Sequence, residues 1–364
     1  MSGSRPPLRD DLALMDGYHS PQLDVPVRLN TNEAPQPPPD GFTEALAAAL
    51  EGIAWNRYPD RSASALRAAI AAAEGEGLPV GIDADQVVVA NGSNEVLQTL
   101  CLTYGGPGRT AVTFEPTYAL HSHIARIAGT RVHSGARAED FTLDLGEVER
   151  VLMSQRPAIT FVCSPNNPTG GAESPETIRA VLAMVEEVGG LLVVDEAYGQ
   201  FSAHSALELL DDDRPLVVTR TFSKTWSAAA LRLGHAIGPR WLGEDTSGVL
   251  LPYHLDAVKQ VAGRIALRFA AEMRERVAHL TEERGRVATA LEGLEVDSWP
   301  SEANYILFRP RAVDGAELWQ RLVDRGVLVR NCASWPGLEG CLRVTIGNPG
   351  ENTAFLGALA ASLA

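Results

Sequence analysis

Residues 216–234 read LVVTRTFSKTWSAAALRLG. The first part, Leu216 to Arg220, is apolar and β-branched without strict alternation, the pattern of a strand covered on both faces. It runs out into Lys224 and a turn of small residues. Lys224 and Lys259 are the two lysines among 31 basic residues, so arginine fills nearly every place where a positive charge suffices. A lysine kept against that background points to its amine. Burial or neighbouring positive charge pushes an ammonium toward its neutral, nucleophilic form, whereas a guanidinium stays protonated. Arg232, eight residues further on, is near enough to share a pocket. Read by itself, the stretch fits an ordinary exposed lysine equally well.

Runs of the same kind recur on either side, and the expected strands are Gln86–Ala90, Thr110–Phe114, Arg131–Ser134, Ile159–Cys163, Leu191–Asp195 and Gly234–Ile237. Helix-length segments such as Glu95–Tyr104 and Pro175–Glu187 separate most of them. Apolar strands alternating with helices predict an α/β fold around a mostly parallel seven-stranded sheet, with functional groups at the carboxyl ends of the strands. Upstream, residues 1–28 are polar and proline-punctuated and read as an N-terminal arm, which Pro35 to Pro39 separates from an alanine-rich helix at Phe42–Leu50. The large domain is expected over residues 29–249. Downstream, one long Arg/Glu-rich helical region over Ala257–Leu294 precedes strands at Asn304–Phe308, Leu328–Asn331 and Leu342–Ile346. These predict a smaller α+β domain over residues 250–364.

The chain of 364 residues is 45% hydrophobic and carries a formal charge of −15, which suits a globular protein and argues against a nucleic-acid surface. Small anions need only a few local arginines. Cys101, Cys163, Cys332 and Cys341 form no CxxC pair, which fits reduced thiols in a cytoplasmic protein and no metal. His121 and His123 make an HxH without a nearby carboxylate or cysteine set, and read as two polar residues at a loop or helix start. No secretion signal and no eighteen-residue apolar run is visible.

Four strand ends carry unusual residues. After QVVVA comes Asn91-Gly92-Ser93-Asn94-Glu95, opening a helix whose N-terminus is a weak candidate for an anion site. After ITFVC comes Ser164-Pro165-Asn166-Asn167-Pro168-Thr169-Gly170, where two prolines and a glycine stiffen the backbone and hold the Asn167 amide in place. LLVVD ends in Asp195-Glu196-Ala197-Tyr198. A carboxylate at the end of a doubly covered strand needs a positive partner, and a protonated ring nitrogen serves. Thr221-Phe222-Ser223-Lys224 is the fourth.

In order and spacing, SPNNPTG, DEAY, TFSK and LRLG resemble the fold-type I, class I/II aminotransferases that use pyridoxal 5'-phosphate. The resemblance extends from about Val27 to the C-terminus. Within that family GYHSPQ, LNTNEAP, RYPD and LVRNCASWPGLEGCLRVTIG resemble the histidinol-phosphate branch. The resemblance implies transamination between L-histidinol phosphate and 2-oxoglutarate, in histidine biosynthesis, by a cytoplasmic homodimer. It implies that Lys224 joins the cofactor and then moves a proton. Asp195 would pair with the ring nitrogen, Asn167 and Tyr198 would reach the phenolic oxygen, and Tyr118 of EPTYAL would stack on the ring. Ser93, Asn94, Ser223 and Arg232 would cradle the cofactor phosphate, with Tyr58 of RYPD reaching over from a neighbouring subunit. Tyr18, Asn32, Arg330 and Arg343 would meet the substrate, the two arginines gripping one anion.

Three positions depart from that family's pattern: Ala230 replaces the usual glycine, Asn348-Pro349 alters the loop after Gly347, and the segment from Pro239 to Pro252 is short. An aromatic amino acid aminotransferase shares almost the same motifs, and a decarboxylase or oxidase shares the scaffold. A nicotinamide-binding protein is permitted by the sheet pattern, but no GxGxxG follows the first strand.

Overall fold

The computed structural model describes residues 6, 8–10, 12, 15, 17, 21–79 and 81–364. Twelve strands form two sheets among the described residues. They are β1 (Val27–Leu29), β2 (Val87–Ala90), β3 (Thr110–Glu115), β4 (Arg131–Ala136), β5 (Ile159–Cys163), β6 (Leu191–Asp195), β7 (Leu216–Thr221), β8 (Gly234–Ile237), β9 (Val296–Ser298), β10 (Tyr305–Pro310), β11 (Val327–Asn331) and β12 (Leu342–Thr345). The helices are α1 (Phe42–Leu50), α2 (Ser64–Glu74), α3 (Ser93–Tyr104), α4 (Ala119–Ile127), α5 (Leu145–Gln155), α6 (Pro175–Val188), α7 (Trp241–Ser247), α8 (Ala257–Leu267), α9 (Ala270–Glu292), α10 (Gly315–Asp324) and α11 (Pro349–Leu363).

The seven-stranded sheet has the order β2-β8-β7-β6-β5-β3-β4. β3 to β7 run parallel, and β8 is antiparallel to both its neighbours. Successive residues of its strands enter opposite layers. Leu192, Val194, Leu216 and Val218 join one apolar cluster with α2, α5 and α6, while Leu191, Val193 and Val217 join another with α3 and α4. Double coverage explains why β5, β6 and β7 are buried from end to end. Because the central strands are parallel, their carboxyl ends share one edge, and Asn167, Asp195 and Lys224 lie just past it.

Local signals set the helix limits. Ser174 caps α6 by accepting from the Thr177 N–H, Pro175 starts its first turn, and Gly189 closes it in the left-handed region. The single helix expected over residues 257–294 is two. It breaks at Arg268 and Phe269, where the Phe269 backbone leaves helical geometry and its ring meets Phe42 edge-on at 6.3 Å.

The second sheet has the order β1-β11-β12-β10-β9. β1 pairs in parallel with β11, register Val27 to Val327. Ala266 and Met273 belong to the core of the large sheet, whereas Leu280, Val287 and Leu291 belong to the second core. Helix α9 therefore passes from one core into the other.

Candidate active site

Gly92, between β2 and α3, has φ +86°, a conformation that suits glycine. A Cβ there would lie 2.7 Å from Arg232 Nη2, and a Cβ on Gly234 would lie 2.3 Å from the Ser93 nitrogen. These two glycines let the start of α3, the start of β8 and the Arg232 guanidinium close on one another. Arg232 itself sits in the left-handed region and donates from Nη1 to Ser223 Oγ at 3.3 Å. No side chain caps α3, so its first-turn N–H groups, the Ser93 and Ser223 hydroxyls and Arg232 form a cradle for an anion. Asn94 stands at the same helix start and accepts from the Tyr118 hydroxyl at 3.2 Å. Ser93, Asn94, Ser223 and Arg232 are thus brought together at one helix start.

Asp195 is 2% exposed at the end of β6. One carboxylate oxygen accepts from the Ala197 N–H at 3.0 Å; the other is bonded to His121 Nε2 at 2.9 Å. His121 corrects the expectation of a polar residue at a helix start, because it is fully buried on α4 and stacks flat on Phe161 at 4.9 Å. Ile124 and Ala125, three and four residues on, are buried too. That helical spacing is the signal that marks His121 as inward-facing. Tyr118 meets its ring edge-on at 5.3 Å.

The Lys224 ammonium donates to the carbonyls of Thr31 at 3.2 Å and Asn32 at 3.0 Å. Burial, helped by the positive charges of Arg343 and Arg232 and opposed by Glu33, pushes its pKa down to about 8. The Nζ lies 5.7 Å from the centre of the Tyr198 ring. Tyr198 is buried, its hydroxyl accepting from Asn32 Nδ2 at 2.9 Å, and burial pushes the phenol well up, so it stays an O–H donor. Asn32, in the left-handed region, is locked by two bonds with Thr345 Oγ1, both 3.0 Å. The segment after β1 therefore reaches from the second sheet to the Lys224 amine.

The turn that holds Asn167 depends on its neighbour as much as on its prolines. Asn166, fully buried, donates to the Pro116 carbonyl at 3.0 Å and to Thr169 Oγ1 at 2.8 Å, and accepts from Thr117 Oγ1 at 2.8 Å. The Tyr305 hydroxyl donates to its carbonyl at 2.7 Å. Asn167 accepts from Arg343 Nη1 through Oδ1, which leaves the two N–H bonds of its amide for a ligand.

Arg330 on β11 and Arg343 on β12 are direct partners in the strand register. Both are nearly buried, at 9% and 5% exposure. Arg343 also donates to the Asn30 carbonyl at 3.0 Å and lies 5.0 Å from the Tyr305 ring, while its Nε has no hydrogen-bond partner among the described residues. Arg330 lies over Trp335 at 5.2 Å. The strand register sets the two arginines on the same face of the small sheet. Arg330 and Trp335 line a cleft of about 1390 Å³ that also takes in Pro116, Phe141 and Trp299.

Tyr58 lies at the surface of its own chain. It is 80% exposed and stacked on Tyr253 at 4.4 Å. Tyr18 lies outside the described residues. Among the described residues no group of His, Cys, Asp or Glu side chains could hold a metal, and the four cysteines are free and buried.

The sequence model of the family described as aminotransferase class I and II matches residues 25–359. The chain is 46% identical to histidinol-phosphate aminotransferase from Frankia casuarinae, covering 98% of this chain and 90% of that one. It is 45% identical to histidinol-phosphate aminotransferase from Streptomyces avermitilis, covering 97% and 95%. Among solved structures it resembles the histidinol-phosphate aminotransferase of Sinorhizobium meliloti in complex with pyridoxal-5'-phosphate, with a TM-score of 0.83 at 21% identity over 93% of this chain and 91% of that one. A tetra mutant of Thermus thermophilus aspartate aminotransferase gives a TM-score of 0.84 at 22% identity over 99% and 100%. At such identities the likeness speaks for the fold.

Proposed function

The chain belongs to the class I and II aminotransferases, and from that premise we propose that it transfers the amino group of L-histidinol phosphate to 2-oxoglutarate, giving imidazole-acetol phosphate and glutamate, with pyridoxal 5'-phosphate as cofactor. The residues fit that cofactor. Its phosphate suits the cradle of Ser93, Asn94, Ser223 and Arg232, and its ring nitrogen suits Asp195. When bound, pyridoxal phosphate supplies an aldehyde that takes up the amino group and an electron-poor ring that accepts charge from the substrate carbon.

The protein's own contribution is positional and electrostatic. Asp195, oriented by His121 and the Ala197 N–H, favours a proton on the ring nitrogen. Tyr198 O–H and the Asn167 amide are donors for the phenolic oxygen, and Tyr118 is placed to cover the ring. Lys224 Nζ, poised between charged and neutral forms near pH 8, is the amine that joins the cofactor and the base that carries a proton to and from the substrate carbon.

The observation that carries the substrate reading is the register pairing of Arg330 with Arg343. One arginine suffices for a carboxylate; two forked donors suit a dianionic phosphate. Arg330→Ala is expected to raise KM for histidinol phosphate by about 10- to 100-fold and to change use of phenylalanine much less. Cofactor absorbance followed in half-reactions with each compound checks this, and equal losses on both would refute the phosphate assignment.

The working molecule we propose is a cytoplasmic homodimer in which the exposed Tyr58 reaches the partner's cofactor phosphate. In support, Tyr58 has no role in its own chain's site. No helix among the described residues is long and apolar enough to cross a membrane. We divide the chain by core: the boundary expected at residue 250 falls ahead of α8, whose Ala262 and Ala266 are buried, with Ala266 in the core of the large sheet. The joint between the domains therefore lies within α9.

A further inference from the structure

We infer that Trp335 is a positioning residue for the substrate's distal anion, acting through Arg330. The inference rests on the phosphate reading of Arg330 proposed above. Trp335 sits in the loop between β11 and β12, and three bonds make that loop compact. Cys332 donates to the Cys341 carbonyl, Trp335 to that of Cys332 and Leu338 to that of Trp335, at 2.9, 3.0 and 3.1 Å. The indole is 7% exposed and packs among Leu307, Leu338 and the two cysteines.

Two contacts give this ring a task beyond filling space. Its face lies under the Arg330 guanidinium at 5.2 Å, where the ring's negative face attracts the cation and limits its rotation. Its Nε1–H donates to the Thr117 carbonyl at 2.9 Å, across the gap between the small sheet and the large one. Thr117 precedes Tyr118 and is bonded to Asn166, which precedes Asn167. The indole thus ties the arginine that grips the far end of the substrate to the strand ends that hold the near end.

The test uses the holoenzyme and histidinol phosphate, phenylalanine and inorganic phosphate as probes. Trp335→Ala is expected to raise KM for histidinol phosphate and the inhibition constant of inorganic phosphate by about tenfold. It should change kcat by less than about twofold and leave KM for phenylalanine near its original value. Trp335→Phe keeps the ring face and loses the N–H, so it should recover most of the phosphate affinity. In an Arg330→Ala background, Trp335→Ala should add nothing for histidinol phosphate, because its path is already gone. Should the alanine variant fail to fold, the phenylalanine variant and its combination with Arg330→Ala carry the same comparison. Equal losses on both substrates, or an undiminished effect in the Arg330→Ala background, would overturn the inference while leaving the phosphate site intact. If Arg330→Ala itself harms both substrates equally, the phosphate reading falls and takes this inference with it.

Discussion

At the scale of single residues, the chemistry turns on how little lysine the chain uses. Lys224→Ala is expected to remove both turnover and the visible absorbance band of the cofactor-loaded protein, a band that borohydride abolishes in the parent; retained transamination would refute the assignment. The lowered pKa of this amine has a second consequence. Its neutral fraction grows as pH rises through about 8, so capture of pyridoxal phosphate by the cofactor-free protein should accelerate up to about that pH and then level, well below the range of a free lysine. The sign agrees with linkage. Between pH 8 and the ordinary lysine value the unfolded chain binds more protons, so stability rises with pH there. Lys224 and Asp195 drew notice because each follows or ends an apolar strand, where such a residue is costly. The partnership of His121 could not be read, since the helical spacing that turns its ring inward does not name a carboxylate 74 positions away. Asn166 was overshadowed by Asn167, because one residue's buried bonds cannot be told from its neighbour's without the turn itself.

At the scale of elements, the strand ends are held in place by a buried ionic cluster. Arg220 on β7 donates to Glu74 at the end of α2 and, at 2.6 Å, to Glu196 just past β6. Glu74 is also bonded to His235 of β8 at 3.1 Å. Asp195 and Lys224 flank this cluster in sequence, so it sets the distance between the two ends that carry them. Arg220→Met leaves two buried carboxylates without their cation and is expected to cost about 3–5 kcal/mol in urea unfolding; the triple change Arg220→Met, Glu74→Gln, Glu196→Gln should cost less. Burial alone would push the Glu74 carboxyl up, yet Arg220 and His235 outweigh it and hold it at about 2. Its contribution is therefore complete above the ordinary glutamate range and is lost as pH falls toward 2, which acid unfolding of the parent and of Glu74→Gln would reveal. The central strands of the large sheet were legible because double coverage writes a continuous apolar run, whereas the edge strand β4, RVHSGA, is largely polar. β1 and β9, three residues each, were not: VRL and VDS are strands only because β11 and β10 lie beside them. The break between α8 and α9 was hidden for a similar reason, since Arg268 and Phe269 are unremarkable helix formers until Phe42 takes up the ring.

At the scale of the whole molecule, two cores share α9, and the proposed active site lies where they face each other. Its residues come from strand ends of the large sheet and from β11 and β12 of the small one, so any motion between the cores moves Arg330 and Arg343 relative to Lys224. The proposed dimer predicts complementation: neither Lys224→Ala nor Tyr58→Ala alone should be fully active, but refolding the two together should raise turnover above that of either. A hybrid pair would then contain one site with both side chains intact. Turnover no higher than the average of the separate proteins would place Tyr58 in its own subunit's site or nowhere in it. The change in composition after residue 250 announces the strands of the second sheet, whereas the passage of α9 from one core to the other leaves no mark, because a helix looks the same along its length. The parallel pairing of β1 with β11 also bears on how the chain is made. On the ribosome every strand of the large sheet has emerged once residue 237 is out, but Val27–Leu29 waits for residues 327–329, and Asn32 waits for Thr345. The earlier stretch thus settles after the later one has appeared, and the lysine amine finds its two carbonyl acceptors only once residue 345 is out.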